Sequence, residues 1–273
     1  MKQALLLFTL LLNSVFASAQ TKYPNVVIST NYGDMTVMLY DETPRHAEYF
    51  LDLVKKRYFD GTLFQRVIKE FMIQGGAQDT RNAAPGTRVG GGNTSMEIMP
   101  ELNEKYFHKK GTLSAPRRGN NENPKKKSDM SQIFIVHGKI MTEGRMDSLE
   151  MTVNIPIRNA ATRKYYIPRK EELAELKTSN PQAFNDSIDQ IMHRIDSAFN
   201  ASPDKFFYKP EEREVYSTIG GARHLDMEYT AYGEVIDGLD VIDKIANLPT
   251  DGNDRPKSDA KIIKVIIKPK HSK

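Results

Sequence analysis

The chain has 273 residues, of which 27% are charged and 39% hydrophobic, with a formal net charge of +4 and no cysteine. That length buries a full core, either in one domain or in one domain carrying a large insertion. So dilute a positive excess does not support sustained contact with a phosphate backbone, which sets nucleic acid aside as a partner, and the missing thiols exclude disulfides and thiolate metal ligands.

The chain opens with Lys2, an apolar run over residues 4–12 continued by Val15 and Phe16, and the small residues Ala17-Ser18-Ala19. This pattern predicts a signal peptide over residues 1–19, cleaved after Ala19. A membrane anchor is the weaker reading, because the run is short for a bilayer span and small residues follow it at signal-peptidase spacing. The mature chain is therefore expected to be exported without an integral membrane segment, to the periplasm first and to the medium as the alternative.

Residues 26–30 and 35–40 are rich in β-branched and apolar side chains, and Asn31-Tyr32-Gly33-Asp34 between them carries turn chemistry, so a hairpin is predicted. Thr43-Pro44 suits an N-cap and first turn, and Ala47, Phe50, Leu51 and Val54 recur at helical spacing before Asp60-Gly61 ends the helix. Short strands are predicted at 64–68, 71–74, 112–115, 133–136, 229–236 and 262–267, with a second helix at 240–247. Many short strands with two isolated helices favour a mainly β, closed or nearly closed barrel over a doubly wound sheet.

Residues 139–222 break that rhythm. Leu173 and Leu176 suggest a helix over 169–178, and Asn180-Pro181 begins another, in which Phe184, Ile188, Ile191, Ile195 and Phe199 share one face. An amphipathic face usually meets its own chain, so this stripe is expected to pack within an inserted helical hairpin rather than on a partner. Gly86-Thr87-Arg88-Val89-Gly90-Gly91-Gly92 lacks the lysine-serine or lysine-threonine and the helix start of a phosphate cradle, and reads as a loop. Lys125-Lys126-Lys127 reads as a solvated loop, and the six histidines show no paired metal spacing with carboxylates.

One block is more informative: Phe64-Gln65-Arg66-Val67-Ile68-Lys69-Glu70-Phe71-Met72-Ile73-Gln74-Gly75-Gly76. It resembles the signature of the cyclophilins, in which a phenylalanine-histidine-arginine strand is followed at this spacing by phenylalanine, methionine, glutamine and two glycines. The resemblance continues in His108-Lys109-Lys110-Gly111-Thr112-Leu113-Ser114, in Ser131-Gln132-Ile133-Phe134-Ile135, and in His224-Leu225-Asp226 with Tyr229-Thr230-Ala231-Tyr232-Gly233-Glu234-Val235. It covers residues 26–137 and 224–268.

The resemblance implies a closed antiparallel β-barrel capped by two helices. It also implies a peptidyl-prolyl cis-trans isomerase domain over residues 24–269, interrupted between late strands by the helical insertion at about 139–222. Carried over residue by residue, it makes Arg66 the catalytic cation, Phe71, Met72, Phe134 and Leu225 the proline pocket, and Gln74 and Gln132 contacts to the substrate backbone. Three substitutions of the family pattern complete the expected substrate-binding set: Gln65 for the usual histidine, Arg117 with Pro116 for an alanine-asparagine pair, and Tyr229 where other members have histidine. Ile133 stands where phenylalanine is common, and His224 where some members carry tryptophan. Neither a cofactor nor a metal is expected. The expected partners are unfolded or proline-containing polypeptides, and the sequence does not set an oligomeric state.

These residue types suit the chemistry. Amide resonance opposes X-Pro rotation with a barrier of roughly 18–20 kcal/mol, and no bond has to break. A guanidinium beside the prolyl nitrogen favours the twisted amide, while an apolar wall grips the ring and keeps out screening water. The rival class is a noncatalytic proline-peptide-binding module or holdase using the same pocket. A sugar-binding barrel has little support, since exposed tryptophan platforms are impossible in a chain without Trp.

Overall fold

The computed structural model describes residues 21–269, and the predicted signal peptide lies outside them. Strands β1 (Val26–Thr30) and β2 (Gly33–Leu39) form the first hairpin, with Thr30 opposite Gly33 across the Asn31-Tyr32 turn. Gly33 has φ +130°, and a Cβ there would meet the Val241 side chain at 2.8 Å, so the turn and its close packing both require glycine. Helix α1 (Pro44–Lys55) starts on Pro44 and buries His46, Ala47, Phe50, Leu51, Leu53 and Val54.

The remaining strands are β3 (Arg66–Ile68), β4 (Met72–Gly75), β5 (Glu97–Ile98), β6 (Thr112–Ser114), β7 (Ser128–Asp129), β8 (Ile133–Val136), β9 (Ala231–Asp237) and β10 (Ile262–Ile267). Eight of the ten strands form one antiparallel sheet in the order β10-β1-β2-β9-β6-β8-β4-β3, and β5 pairs with β7 apart from it. Register shifts at Ser29/Thr30, Thr36/Val37 and Leu113/Ser114 bend the strands and curl the sheet around its core.

The closed barrel expected from the sequence is corrected here to a curled half-barrel. Its edge strands β3 and β10 form no ladder with each other, and their neighbourhoods meet at the isolated Leu63–Lys261 bridge. The reason lies in the level at which the chain segments run. Residues Ala260 and Ile262 exchange backbone bonds with Gly61, Thr62 and Phe64, ahead of β3, while Val67 within β3 donates instead to the Asp254 carbonyl at 2.8 Å.

Inside the curl lies one large cluster, with Ile28, Met35, Phe50, Phe59, Ile73, Leu113, Ile135 and Tyr232 wholly or almost wholly buried. The α1 face closes one side of it. A helix over Leu239–Ala246 follows Gly238, whose φ is +88°, and buries Val241, Ile242, Ile245 and Ala246 in the same core.

The segment between β8 and β9 contains four further helices. These are α2 (Glu143–Tyr165), α3 (Lys170–Ser179), α4 (Pro181–Ala201) and α5 (Pro210–Thr218), which makes the helix beginning at Leu239 and ending at Ala246 the sixth. Ala161, Leu173, Ile191 and Ile195 form a separate core there, with Phe184 and Ile188 packed against it, so this face of α4 meets the insertion's own helices. Arg213 of α5 reaches Glu143, Asp147 and Glu150 of α2 and ties the two together. The insertion's ends meet where Lys139 and Gly221 exchange backbone hydrogen bonds of 3.2 and 3.0 Å. No side chain fits at Gly221, since a Cβ would lie 2.4 Å from the His108 carbonyl oxygen.

Candidate functional site

The alternation of three adjacent strands creates two apolar faces. Val67, Ile73, Ile133 and Ile135 point into the main core, while Met72, Phe134 and Val136 belong to a second cluster with Ala222 and Leu225 on the opposite face. In the ladder Arg66 lies opposite Gln74, and Gln74 opposite Phe134, so a cation, an amide and an aromatic ring occupy one cross-strand row. Ile68, Met72 and Val136 form the next row on that face.

A cavity of about 240 Å³ opens over these rows, lined by Arg66, Phe71, Met72, Gln74, Pro116, Arg117, Phe134, Leu225 and Tyr229. Arg66 stands at its mouth with 44% of its side chain exposed, its Nε 3.5 Å from Asp254 Oδ2. Such a half-exposed pair contributes only about 0–1 kcal/mol, so it does little to hold the guanidinium away from a ligand.

Arg117 plays a different part. Only 5% of its side chain is exposed. It donates to the Glu228 carbonyl and carboxylate, each at 2.7 Å, and to Asn120 Oδ1 at 2.8 Å, while its guanidinium lies 4.6 Å from the Tyr229 ring centre. Tyr229 in turn meets Phe134 edge-on at 5.8 Å. This makes Arg117 and Tyr229 a braced wall, whose cation is already satisfied by protein groups.

Gln65 and Gln132 do not line the cavity. Both are almost fully buried behind it, where Gln132 Oε1 accepts from Gln65 Nε2 at 2.6 Å and from Gln74 Nε2 at 3.0 Å. Gln132 Nε2 donates to the Gly90 carbonyl at 3.2 Å, which anchors the glycine-rich loop to the strand floor. Two neighbours escaped the sequence reading: Asp254, far along the chain, and His108, whose ring lies parallel to that of Phe134 at 6.2 Å. No pattern in the sequence marks Asp254. Among the described residues no group of three or more His, Asp or Glu side chains is arranged to hold a metal ion.

The profile of the cyclophilin-type peptidyl-prolyl cis-trans isomerases matches residues 25–153 and 205–267, more than half of the chain. The chain belongs to this family. A relative from Streptococcus pyogenes, named as a bifunctional phosphatase and peptidyl-prolyl cis-trans isomerase, is 30% identical over 89% of this chain, which spans only 38% of that relative's length. One from Staphylococcus haemolyticus, named as a peptidyl-prolyl cis-trans isomerase, is 27% identical over 90% of this chain and 91% of its own. A Cryptosporidium parvum cyclophilin, crystallised with the dipeptide Ala-Pro, has a TM-score of 0.51 and 18% identity, covering 90% of this chain and 99% of that one, and shares the fold.

Among the described residues of this cyclophilin, three histidines titrate below the ordinary imidazole range. Burial is the main cause for His46, His137 and His224, opposed by Glu101, Asp243 and Asp226 respectively, and His108 adds to the lowering at His224. Each folded-state value lies below an unfolded value of about 6.5. Between the two, the unfolded chain binds the extra proton and the folded one does not, so stability is complete above the unfolded value and is lost as the pH falls through it. The urea midpoint is therefore expected to drop between pH 7.5 and 5.5. A midpoint that holds or rises over that interval would contradict this account.

Proposed function

We propose that the chain accelerates cis–trans exchange about X-Pro bonds in exported, partly unfolded polypeptides. In this reading the prolyl ring sits against Met72, Phe134 and Leu225, and Phe71 closes the wall, as expected for a concave, mostly apolar site with few polar groups. Arg66 then lies where the amide must twist. A guanidinium aimed at the pyramidal prolyl nitrogen and its neighbouring carbonyl is worth more to the twisted state than to either planar one, and substrate covering its exposed half strengthens that preference. Gln74 shares the row with Arg66 and is offered to the substrate backbone, while Gln132 and Gln65 fix its amide from behind.

The observation that carries this reading is the position of Arg66, in one row with Gln74 and Phe134 at the mouth of a cavity of about 240 Å³. The test is an isomerisation assay on a proline-containing peptide, with wild type beside Arg66→Ala. Peptide binding without turnover in the wild type would return the chain to the class of proline-binding modules.

Export is supported by Lys2, the apolar run after it and Ala17-Ser18-Ala19. The mature protein is expected to begin at Gln20. Intact-mass measurement on the periplasmic fraction checks this, and an uncleaved chain confined to the cytosol would contradict it. Among the described residues no helix is long and apolar enough to cross a membrane.

A further inference from the structure

Next to the small cavity lies a larger one of about 640 Å³, within the size range of ligand sites. Phe71 lines both, and the His224 ring, 5.2 Å from that of Phe71, extends the larger floor. The opposite wall comes from the insertion. Leu149 and Val153 face it from α2, and Phe206 and Tyr208 from the connection between α4 and α5. Val153 is 39% exposed and Leu149 partly so, which leaves apolar surface open beside the proline cavity.

The rim is positive. Lys69, Lys139, Arg145 and Arg223 stand around it, with Glu70 as the one carboxylate among the lining residues. Lys139 is 3.9 Å from Glu70, and Arg223 lies 3.9 Å over the Phe206 ring and 3.8 Å from Glu212. Among the described residues Lys69 and Arg145 make no ion pair. The floor therefore suits an apolar side chain, and the rim suits a carboxylate close to it.

We propose that this groove is a second substrate subsite, which takes a large apolar side chain with a neighbouring acidic residue, carried on the same polypeptide a few residues from the proline. It rests on the isomerase reading and adds a substrate preference to it. The occupant follows from continuity through Phe71, since a chain leaving the small cavity past Phe71 and His224 runs onto the larger floor, and from the charge of the rim. The insertion then serves selection rather than turnover.

The test uses the full mature chain, a short peptide with proline flanked only by alanine, and longer peptides in which phenylalanine and glutamate, or alanine and lysine, flank the proline. Wild type is expected to prefer the phenylalanine-glutamate peptide by about tenfold in kcat/KM, the scale of one large apolar side chain left unburied. Arg145→Glu and Val153→Asp, both at exposed positions, are expected to abolish that preference mainly through KM while short-peptide turnover stays within about twofold, the mark of lost uniform binding. An unchanged preference in both variants overturns the proposal. So does a concentration-dependent dimer that Arg145→Glu disrupts, which would give the groove to a second copy. Anisotropy of labelled long peptide keeps the two ideas separable: binding lost in the groove variants, with no turnover of any peptide by wild type, supports the subsite and overturns the isomerase reading instead.

Discussion

Arg66→Ala is expected to lower kcat/KM on a proline-containing peptide by about two orders of magnitude or more, as removal of a principal electrostatic donor does elsewhere. A hundredfold loss corresponds to about 2.7 kcal/mol of transition-state stabilisation. The fold should hardly notice. Arg66 is 44% exposed, and its pairing with Asp254 is of the kind that contributes about 0–1 kcal/mol, so the urea midpoint should stay close to that of wild type. Arg66→Lys separates charge from shape, since an ammonium keeps the charge but loses the planar fork, and it is expected to recover only part of the rate. Exchange measured by magnetisation transfer on a short peptide reads all three proteins without a coupling enzyme. Equal turnover in wild type and Arg66→Ala would remove the mechanism proposed for this site.

Much of this site was legible because the strands that build it are short and alternate cleanly. The sequence from Phe64 to Gly76 places Val67 and Ile73 on one face and Arg66, Met72 and Gln74 on the other, and the structure turns that alternation into a core face and a cavity face. The hairpin at Asn31-Tyr32 and the helix beginning at Pro44 were legible from turn or cap chemistry joined to a period that matches their burial, and the helix expected at 240–247 lies at Leu239–Ala246.

What escaped depends on contacts between distant residues. Helix α2 carries Pro156 in its interior and leaves Met151, Val153 and Ile155 exposed, so it has no apolar stripe to read; Arg213, dozens of residues later, braces it. The open seam between β3 and β10 reflects which backbone groups Ala260 and Ile262 meet, and composition does not encode that level. Arg117 was expected among the groups that touch substrate. It lines the cavity, and what the sequence does not show is that its guanidinium is already held by Glu228, 111 positions away. Gln65 and Gln132 sit behind Gln74 because one buried carbonyl oxygen, Gln132 Oε1, accepts from two amides at once.

Asp226→Ala is expected to destabilise the protein by about 3–5 kcal/mol, the usual consequence of removing one partner from a buried, charge-bearing hydrogen-bond set. Its side chain is 11% exposed, and Oδ1 accepts from the His108 backbone N–H at 2.8 Å and faces His108 Nδ1 at 3.0 Å. Oδ2 accepts from the Tyr216 hydroxyl at 2.5 Å. Burial first, and the Asp226 charge second, push the Tyr216 phenol far above its ordinary range, so it remains a donor at any working pH. One carboxylate thus joins the half-barrel, through His108, to α5 of the insertion, and it directly follows Leu225 in the cavity wall. Removing it leaves the Tyr216 hydroxyl and the His108 N–H buried without that acceptor, and frees the root of the insertion to move. Two measurements read the effect. The urea midpoint should fall sharply, and limited proteolysis should cut within residues 139–222 before the remainder unfolds, while Tyr216→Phe, which leaves the His108 bonds intact, should cost only about 1–2 kcal/mol. Turnover is expected to fall as well, because Leu225 loses its support. An Asp226→Ala protein as stable and as protease-resistant as wild type would mean that the insertion is held by Gly221 and the Met146-Tyr208-Tyr216 cluster alone.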